Sequence, residues 1–332
     1  MLNKIKLYFY VSYMISFFFI NCYANFFSKV IIWGHPLHSH THSYIHWGFF
    51  RTFQHLGYEV YWVNDINEIQ NLDLSGTLFI TEGQVDASIP KRKDCYYILH
   101  NCKGDEYKDL LNSNRCICLQ VYTHDCIPYA PEKLGECMYS NVAGKIIFLP
   151  WATDLLPHEI DSMKKFAMQE KERKVTWIGT IGEGIFGNRN EIDGFAKACQ
   201  ENDIVFQGYT NVSADKNIEL VQKSYLAPAL QGAWQCEKGY IPCRIFKNIS
   251  YGQWGITNNK TVYELFEGRI IYNSDTYQLF YDAKAYMENT SINKLYELMD
   301  FVKNNHTYIN RIETLLSFMQ KALKIKDDNE SE

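Results

Sequence analysis

The chain reads as an α/β protein of two Rossmann-like domains behind a hydrophobic N-terminal segment, and three observations predict this. It has 332 residues, 46% of them hydrophobic and 15% aromatic, enough apolar surface for two cores. Apolar runs of strand length alternate with amphipathic stretches of helix length, a pattern that calls for parallel strands joined by crossovers. The alternation begins twice, at Lys29 and again at Lys174, with a charged connecting helix expected over about Pro157 to Arg173 between the two starts. The expected organisation is a leader or anchor over 1–24, a first domain over 28–155, a second over 156–325 and a frayed acidic tail over 326–332.

The start of the chain carries Lys4 and Lys6, an apolar run from Leu7 to Ile20 and a small residue at Ala24. That run is short for a spanning helix and fits a cleavable signal peptide, with an uncleaved anchor or a cytoplasmic start as the other readings. The implied location is the secretory pathway, the periplasm or a membrane surface, with membrane association through residues 7–20. Ten cysteines are present, and removing Cys22 with a leader leaves nine, an odd number at irregular spacing that points to buried thiols. Asn-x-Ser/Thr sequons, among them those at Asn211, Asn248, Asn259, Asn289 and Asn305, matter only if the chain meets a glycosylating compartment. A net charge of −5 without a basic stripe argues against nucleic acid as a partner.

In the first domain, Lys29 to Trp33 is a continuous apolar run, as a strand covered on both faces requires. A His-rich loop leads into a helix over about 43–56, with Ile45, Phe49, Phe53 and Leu56 on one face and Gly57 as its left-handed stop. Glu59 to Val63 completes a βαβ unit, and further strands are expected over 77–81, 96–100, 116–122 and 145–149. In the second domain a strand from Lys174 runs into the Gly-rich turn Ile181 to Gly187. A helix over about 191–199, a strand over 204–208, a helix over 217–224, a short strand at Ile270 to Tyr272 and three helices over about 275–324 follow.

The segment from Gly239 to Asn258 carries the most chemistry. It reads as a loop, a short helix opening at Arg244, a stop at Gly252 and a buried strand. A helix N-terminus presents unpaired N–H groups and a positive dipole end, and an Arg in its first turn adds a bidentate partner for a diphosphate. An ordinary βαβ connection would carry the same pattern. Candidate donor-binding residues are Arg244, Tyr240, Asn248 and Gly252, with Gly179, Thr180 and Gly182 from the Gly-rich turn, whose Gly182-x-Gly184-x-x-Gly187 spacing is a weak match to a phosphate-binding loop.

The loop from Gly34 to Tyr44 follows the first strand and holds His35, His38, His40 and His42. At the carboxyl end of a parallel sheet, a His there could take a proton from an acceptor hydroxyl, and His42, then His40, are the candidate bases. Solvent-facing histidines, or a metal held by His38, His40 and His42, are the competing readings. Glu82, His124 and Asp125 also follow strands and are candidate acceptor-side residues.

Three segments resemble the GT-B glycosyltransferases, in particular a group-1-like, spore-protein-like branch. Pro150-Trp-Ala-Thr-Asp154 is similar to the crossing between the two domains, Gly239 to Asn258 to the donor site, and Asn305-His-Thr-Tyr-Ile-Asn-Arg311 to a C-terminal helix that packs back on the domain. The resemblance covers about 29–322. It implies two Rossmann-like domains facing a central cleft and a metal-independent hexosyl- or deoxyhexosyltransferase. Such an enzyme needs no cofactor and moves a sugar from a nucleotide-diphosphate donor to a glycan, lipid or protein hydroxyl. The accompanying expectation is Arg244 on the leaving diphosphate and a nucleobase against Tyr240 or Tyr225. One departure stands out: where such enzymes place a Glu that holds the nucleotide ribose, this chain has Lys247. A non-catalytic glycan- or nucleotide-binding protein of the same fold, or a His-loop metalloenzyme, are the alternatives.

Overall fold

The structure, a computed structural model, describes residues 27, 29–39, 42–82, 88–102, 104–126, 130, 132–135 and 137–325. The expected leader over 1–24, the tail over 326–332 and His40 lie outside the described residues. No helix among the described residues is long and apolar enough to cross a membrane. The chain divides into two compact units, residues 1–119 with 313–332, and residues 120–312.

The first unit is built on five parallel strands, β1 Lys29–Trp33, β2 Glu59–Val63, β3 Leu78–Glu82, β4 Tyr96–His100 and β5 Cys116–Gln120, in the order β2-β1-β3-β4-β5. Its long helix, α1 Ser43–His55, is followed by Gly57 at φ +86°, the left-handed stop expected from the sequence. The short helix α2 Lys108–Asn112 precedes β5. Ile31, Trp33, Phe79, Tyr97, Leu99 and Cys116 form the core on one side of these strands, which is why they read as unbroken apolar runs.

The second unit opens with α3 Thr123–Cys126 and an antiparallel set, β6 Glu132–Gly135, β7 Met138–Asn141 and β8 Ile146–Phe148. Of these, β8 alone is expected from the sequence, because the polar run of β6 carries no strand pattern. After α4 Pro157–Met163 come β9 Lys174–Ile178, α5 Arg189–Glu201, β10 Val205–Tyr209, α6 Ala214–Lys223, α7 Ala233–Glu237 and α8 Cys243–Ser250. They are followed by β11 Ile256–Thr257, α9 Lys260–Leu265, β12 Ile271–Tyr272, α10 Thr276–Asn289, α11 Ile292–Asn305 and α12 Tyr308–Leu323, whose residues from 313 on belong to the first unit. The charged connector expected as one helix to Arg173 is helical as α4 only to Met163, after which a single tighter turn covers 164–166.

β10 pairs with β9 and β11 with β12, all in parallel. The extended segment 225–230 fills the space between the pairs: Tyr225 N donates to Lys174 O at 2.8 Å, and Ala229 N to Ile256 O at 2.8 Å. The order is therefore β10-β9-(225–230)-β11-β12. Both units share one winding, in which the first strand lies between the second and the third. Such an order creates a switch point, where the loops after the first and third strands leave in opposite directions and open a crevice at the carboxyl ends.

The segment 120–155, assigned to the first domain from the sequence, is held by side chains of the second unit. Arg311, 2% exposed, donates from Nε to Pro150 O at 2.7 Å and from Nη2 to Trp151 O at 3.1 Å. Thr153 N donates to His306 O at 3.0 Å, and the Thr153 and Ser250 hydroxyls lie 2.7 Å apart. The Asn305 to Arg311 motif thus packs back on the Pro150 to Asp154 segment. Lys247 reaches the same place: its ammonium is 2.8 Å from Asp154 Oδ2, while Tyr251 donates to Asp154 Oδ1 at 2.7 Å.

Candidate functional site

The crevice of the second unit is framed by the loop after β9, the loop over 231–240 and the start of α8. Gly179, at φ +134°, turns the chain out of β9, and the Arg244 side chain fills the space a Cβ would need, so that a methyl there would collide with Arg244 Nη2. Arg244 Nη2 donates to Ile178 O at 2.8 Å, and its guanidinium lies 3.8 Å above the Trp177 ring. Burial lowers its pKa, and among the described residues it has no carboxylate partner. A half-buried cation placed by a carbonyl and an indole, with no carboxylate partner among the described residues, has donors to offer an external anion.

The N-cap of α8 is Pro242, which supplies no side-chain acceptor, so the first-turn N–H groups beside Arg244 have no side-chain cap. The opposite wall is fixed by buried amides. Gln231 Nε2 and Asn259 Nδ2 both donate to Tyr240 O at 2.9 Å, and Asn258 Oδ1 accepts from Gln231 N at 2.9 Å. These amides lock the 231–240 loop to the carboxyl end of β11. The Tyr240 hydroxyl accepts from Trp151 Nε1 at 3.2 Å, and burial raises its pKa. A row of rings, Tyr240, Tyr122, Trp234 and Phe186, leads from it to the tip of the Gly-rich loop, with centroid separations of 5.4, 5.3 and 4.9 Å.

Gly179 and Tyr240 therefore lie beside Arg244, and Thr180 is exposed. Gly182 N donates to Asn188 Oδ1 at 3.0 Å, which closes the Gly-rich loop on the N-cap of α5. Other candidates serve the fold. Asn248 is buried and donates to Ala227 O at 2.7 Å, which also removes it as a glycan acceptor in the folded chain. Gly252, at φ +94°, ends α8 through Gly252 N to Ile249 O and Gln253 N to Asn248 O, both 3.0 Å. Tyr225 lies at the amino end of its segment, against Lys174, and cannot stack on a nucleobase in this crevice. His124 is exposed and bonds the Glu237 carbonyl, while Thr123 Oγ1 donates to Gly239 O at 2.9 Å, so this short helix braces the 237–239 turn. The backbone of Asp125 belongs to that helix and that of Glu82 to the end of β3; their side chains lie outside what is described.

The crevice of the first unit holds the His loop. His35 and His38 both have left-handed φ, at +47° and +72°, an uncommon backbone for residues with a Cβ. His42 begins α1, its carbonyl accepting from Ile45 N at 3.0 Å and His46 N at 2.9 Å. Its ring lies 6.4 Å from His35 and 5.2 Å from His100, and His35 lies 5.7 Å from His46. His46 Nδ1 and Trp62 Nε1 converge on Gly34 O at 3.0 and 2.9 Å. His38 turns aside to Tyr44, 3.1 Å from its hydroxyl. No group of three or more His, Cys, Asp or Glu side chains among the described residues is placed to hold a metal ion. The neighbours of His42 are not legible in the sequence: His100 is the last residue of β4 and His46 lies within α1, and their meeting depends on the strand order.

No protein-family model and no curated protein matches the sequence. Solved structures do match it in shape. An alpha-glucosyltransferase in complex with UDP superposes with a TM-score of 0.57 at 8% identity, over 88% of this chain and 99% of that one. The same kind of enzyme in complex with UDP and a 13-mer DNA containing a central A:G mismatch gives 0.55 at 9% identity, over 86% and 99%. A glycosyltransferase from Rickettsia africae ESF-5 gives 0.50 at 10% identity, over 90% and 100%. The chain has the fold of these glycosyltransferases. At such identities the likeness is one of architecture.

Proposed function

We propose that the protein is a glycosyltransferase that moves a sugar from a nucleotide-diphosphate donor to an acceptor hydroxyl. The observation that carries this reading is Arg244: a half-buried guanidinium at the switch point, beside the uncapped start of α8 and the Gly-rich loop, with no carboxylate among its described neighbours. A diphosphate supplies the missing anion, and the same groups stabilise the charge that develops as the sugar departs. The alpha-glucosyltransferase of similar fold binds UDP, which supports a nucleotide donor. The row of rings from Tyr240 to Phe186 offers surface for a planar or apolar part of the ligand.

In this reading His42 takes the acceptor proton and the chemistry needs neither metal nor cofactor. Hexosyl or deoxyhexosyl specificity, the spore-protein-like branch, the two-domain cleft and a secreted or membrane-associated location belong to the same proposal. Lys247 has left the donor's ribose for Asp154, so a ribose contact must come from other groups. The charge argument against nucleic acid does not extend to the fold, because the similar alpha-glucosyltransferase is in complex with DNA, and a DNA duplex belongs in the acceptor screen beside glycans, lipids and peptides. The deciding experiment is a titration of wild type and Arg244→Ala with a panel of nucleotide-diphosphate sugars, followed by transfer assays with any that bind. Saturable binding lost in the variant supports the reading; no binding by wild type, or equal binding by both, overturns it.

A further inference from the structure

A second cavity, of about 300 Å³, lies in the second unit at the opposite end of the sheet from the Arg244 crevice. Its walls come from the segment that leads into β9, the turn that ends α8, and the junction of α10 and α11. The apolar part is Trp254, Met287, Ile292 and Leu295, with the ring of Trp254 held edge-on by Tyr286 at 5.3 Å. One cation lines it, Lys171, three residues before β9.

Lys171 is unusually placed. Its ammonium donates to Gln222 O at 2.8 Å, and no carboxylate among the described residues pairs with it. Nearby Glu172 is engaged by Lys174 at 2.7 Å instead. Burial is the one cause that lowers its pKa, to about 8, so the ammonium is held in a place that disfavours its charge. Gln253 Nε2 donates to Val221 O and Ser224 O, both at 2.8 Å, which fixes the turn that forms this wall. Gln169 and Thr290 remain on the wall as neutral polar groups.

A desolvated cation beside an apolar wall is complementary to an anion with an apolar body. We propose that this cavity binds a small monocarboxylate with an aryl or short alkyl body, its carboxylate on Lys171 and its body against Trp254, Met287, Ile292 and Leu295. The volume is at the small end of ligand cavities, which favours one ring or a short chain over a nucleotide. The site is independent of the donor reading, since Lys171 precedes β9 whereas the Arg244 crevice opens after it.

The test uses the full chain, with benzoate and hexanoate as probes and benzamide as a neutral analogue of benzoate, followed by calorimetry at pH 7. Benzoate is expected to bind saturably below about 10 mM, at least tenfold more tightly than benzamide. Lys171→Met should abolish that preference and Lys171→Arg should retain it within a few fold. Because the carboxylate needs the ammonium, affinity should fall about tenfold per pH unit above the Lys171 pKa. Removing a buried charge does not threaten the fold, and a melting curve of Lys171→Met verifies that. Absence of saturable benzoate binding, equal affinity for benzamide, or full binding by Lys171→Met each overturns the proposal.

Discussion

In the proposed reaction Arg244 and His42 each act as a single side chain held by the backbone around it. A charge-assisted hydrogen bond contributes about 1.5–3 kcal/mol, so Arg244→Ala is expected to weaken donor binding roughly 10- to 150-fold. Its structural losses are the bond to Ile178 O and the face of Trp177, both at the edge of the crevice, so the melting temperature should move little. His42→Ala is expected to lower turnover by about 10²–10⁴ with little change in donor affinity, the pattern of a lost general base. Steady-state kinetics with a donor titration separate the two effects, and unchanged turnover would move the base to another residue. The sequence picked out both side chains by position after a strand or at a helix start, but it could not show that Lys247 turns to Asp154 rather than to a ligand.

Among the elements, α8 is the one on which the proposed donor site depends. Its eight residues, Cys243–Ser250, carry Arg244 in the first turn, and the turn ends at Gly252 against Ala167. Gly252 has φ +94°, and a Cβ there would lie 3.2 Å from Ala167 Cα. Gly252→Ala is therefore expected to destabilise the protein by about 1–3 kcal/mol, through a left-handed backbone and a contact with main chain that has little room to yield. Chemical denaturation measures it, and a loss under about 0.5 kcal/mol would show that the turn relaxes. The stop was legible as a Gly after an amphipathic run. The length of α4 was not, because charged residues up to Arg173 suit a helix and an exposed irregular segment equally well.

Across the molecule, distant parts of the chain are tied by buried polar joints. The Lys247–Asp154 pair joins positions far apart in the sequence, with side chains 10% and 7% exposed. Breaking one member leaves a buried charge, so Lys247→Met is expected to cost about 3–5 kcal/mol, and the double variant Lys247→Met with Asp154→Leu should recover most of it. Equilibrium unfolding of the two variants decides this; a single variant as stable as wild type would mean that water reaches Asp154. The same logic explains why Arg311, bonded to Pro150 and Trp151, marks a segment whose sequence alone suggested a domain boundary.

The sequence by itself determined the α/β class, both starts of the alternation, the apolar strands β1, β4 and β9, the helix over 43–55 with its stop at Gly57, and the loops that follow β1 and β9. These are local matters, set by the period of apolar residues and by the conformational freedom of glycine. Only the tertiary structure decided the strand order, the irregular segment 225–230 between β9 and β11, and the hairpin of β6 and β7. It also decided which histidines meet. His100 reaches His42 because β3 alone separates β1 from β4, and Lys171 meets Trp254 because the end of α8 returns to the start of β9. Such neighbours are far apart along the chain, and no periodicity within a window can encode a contact that burial of the whole sheet creates.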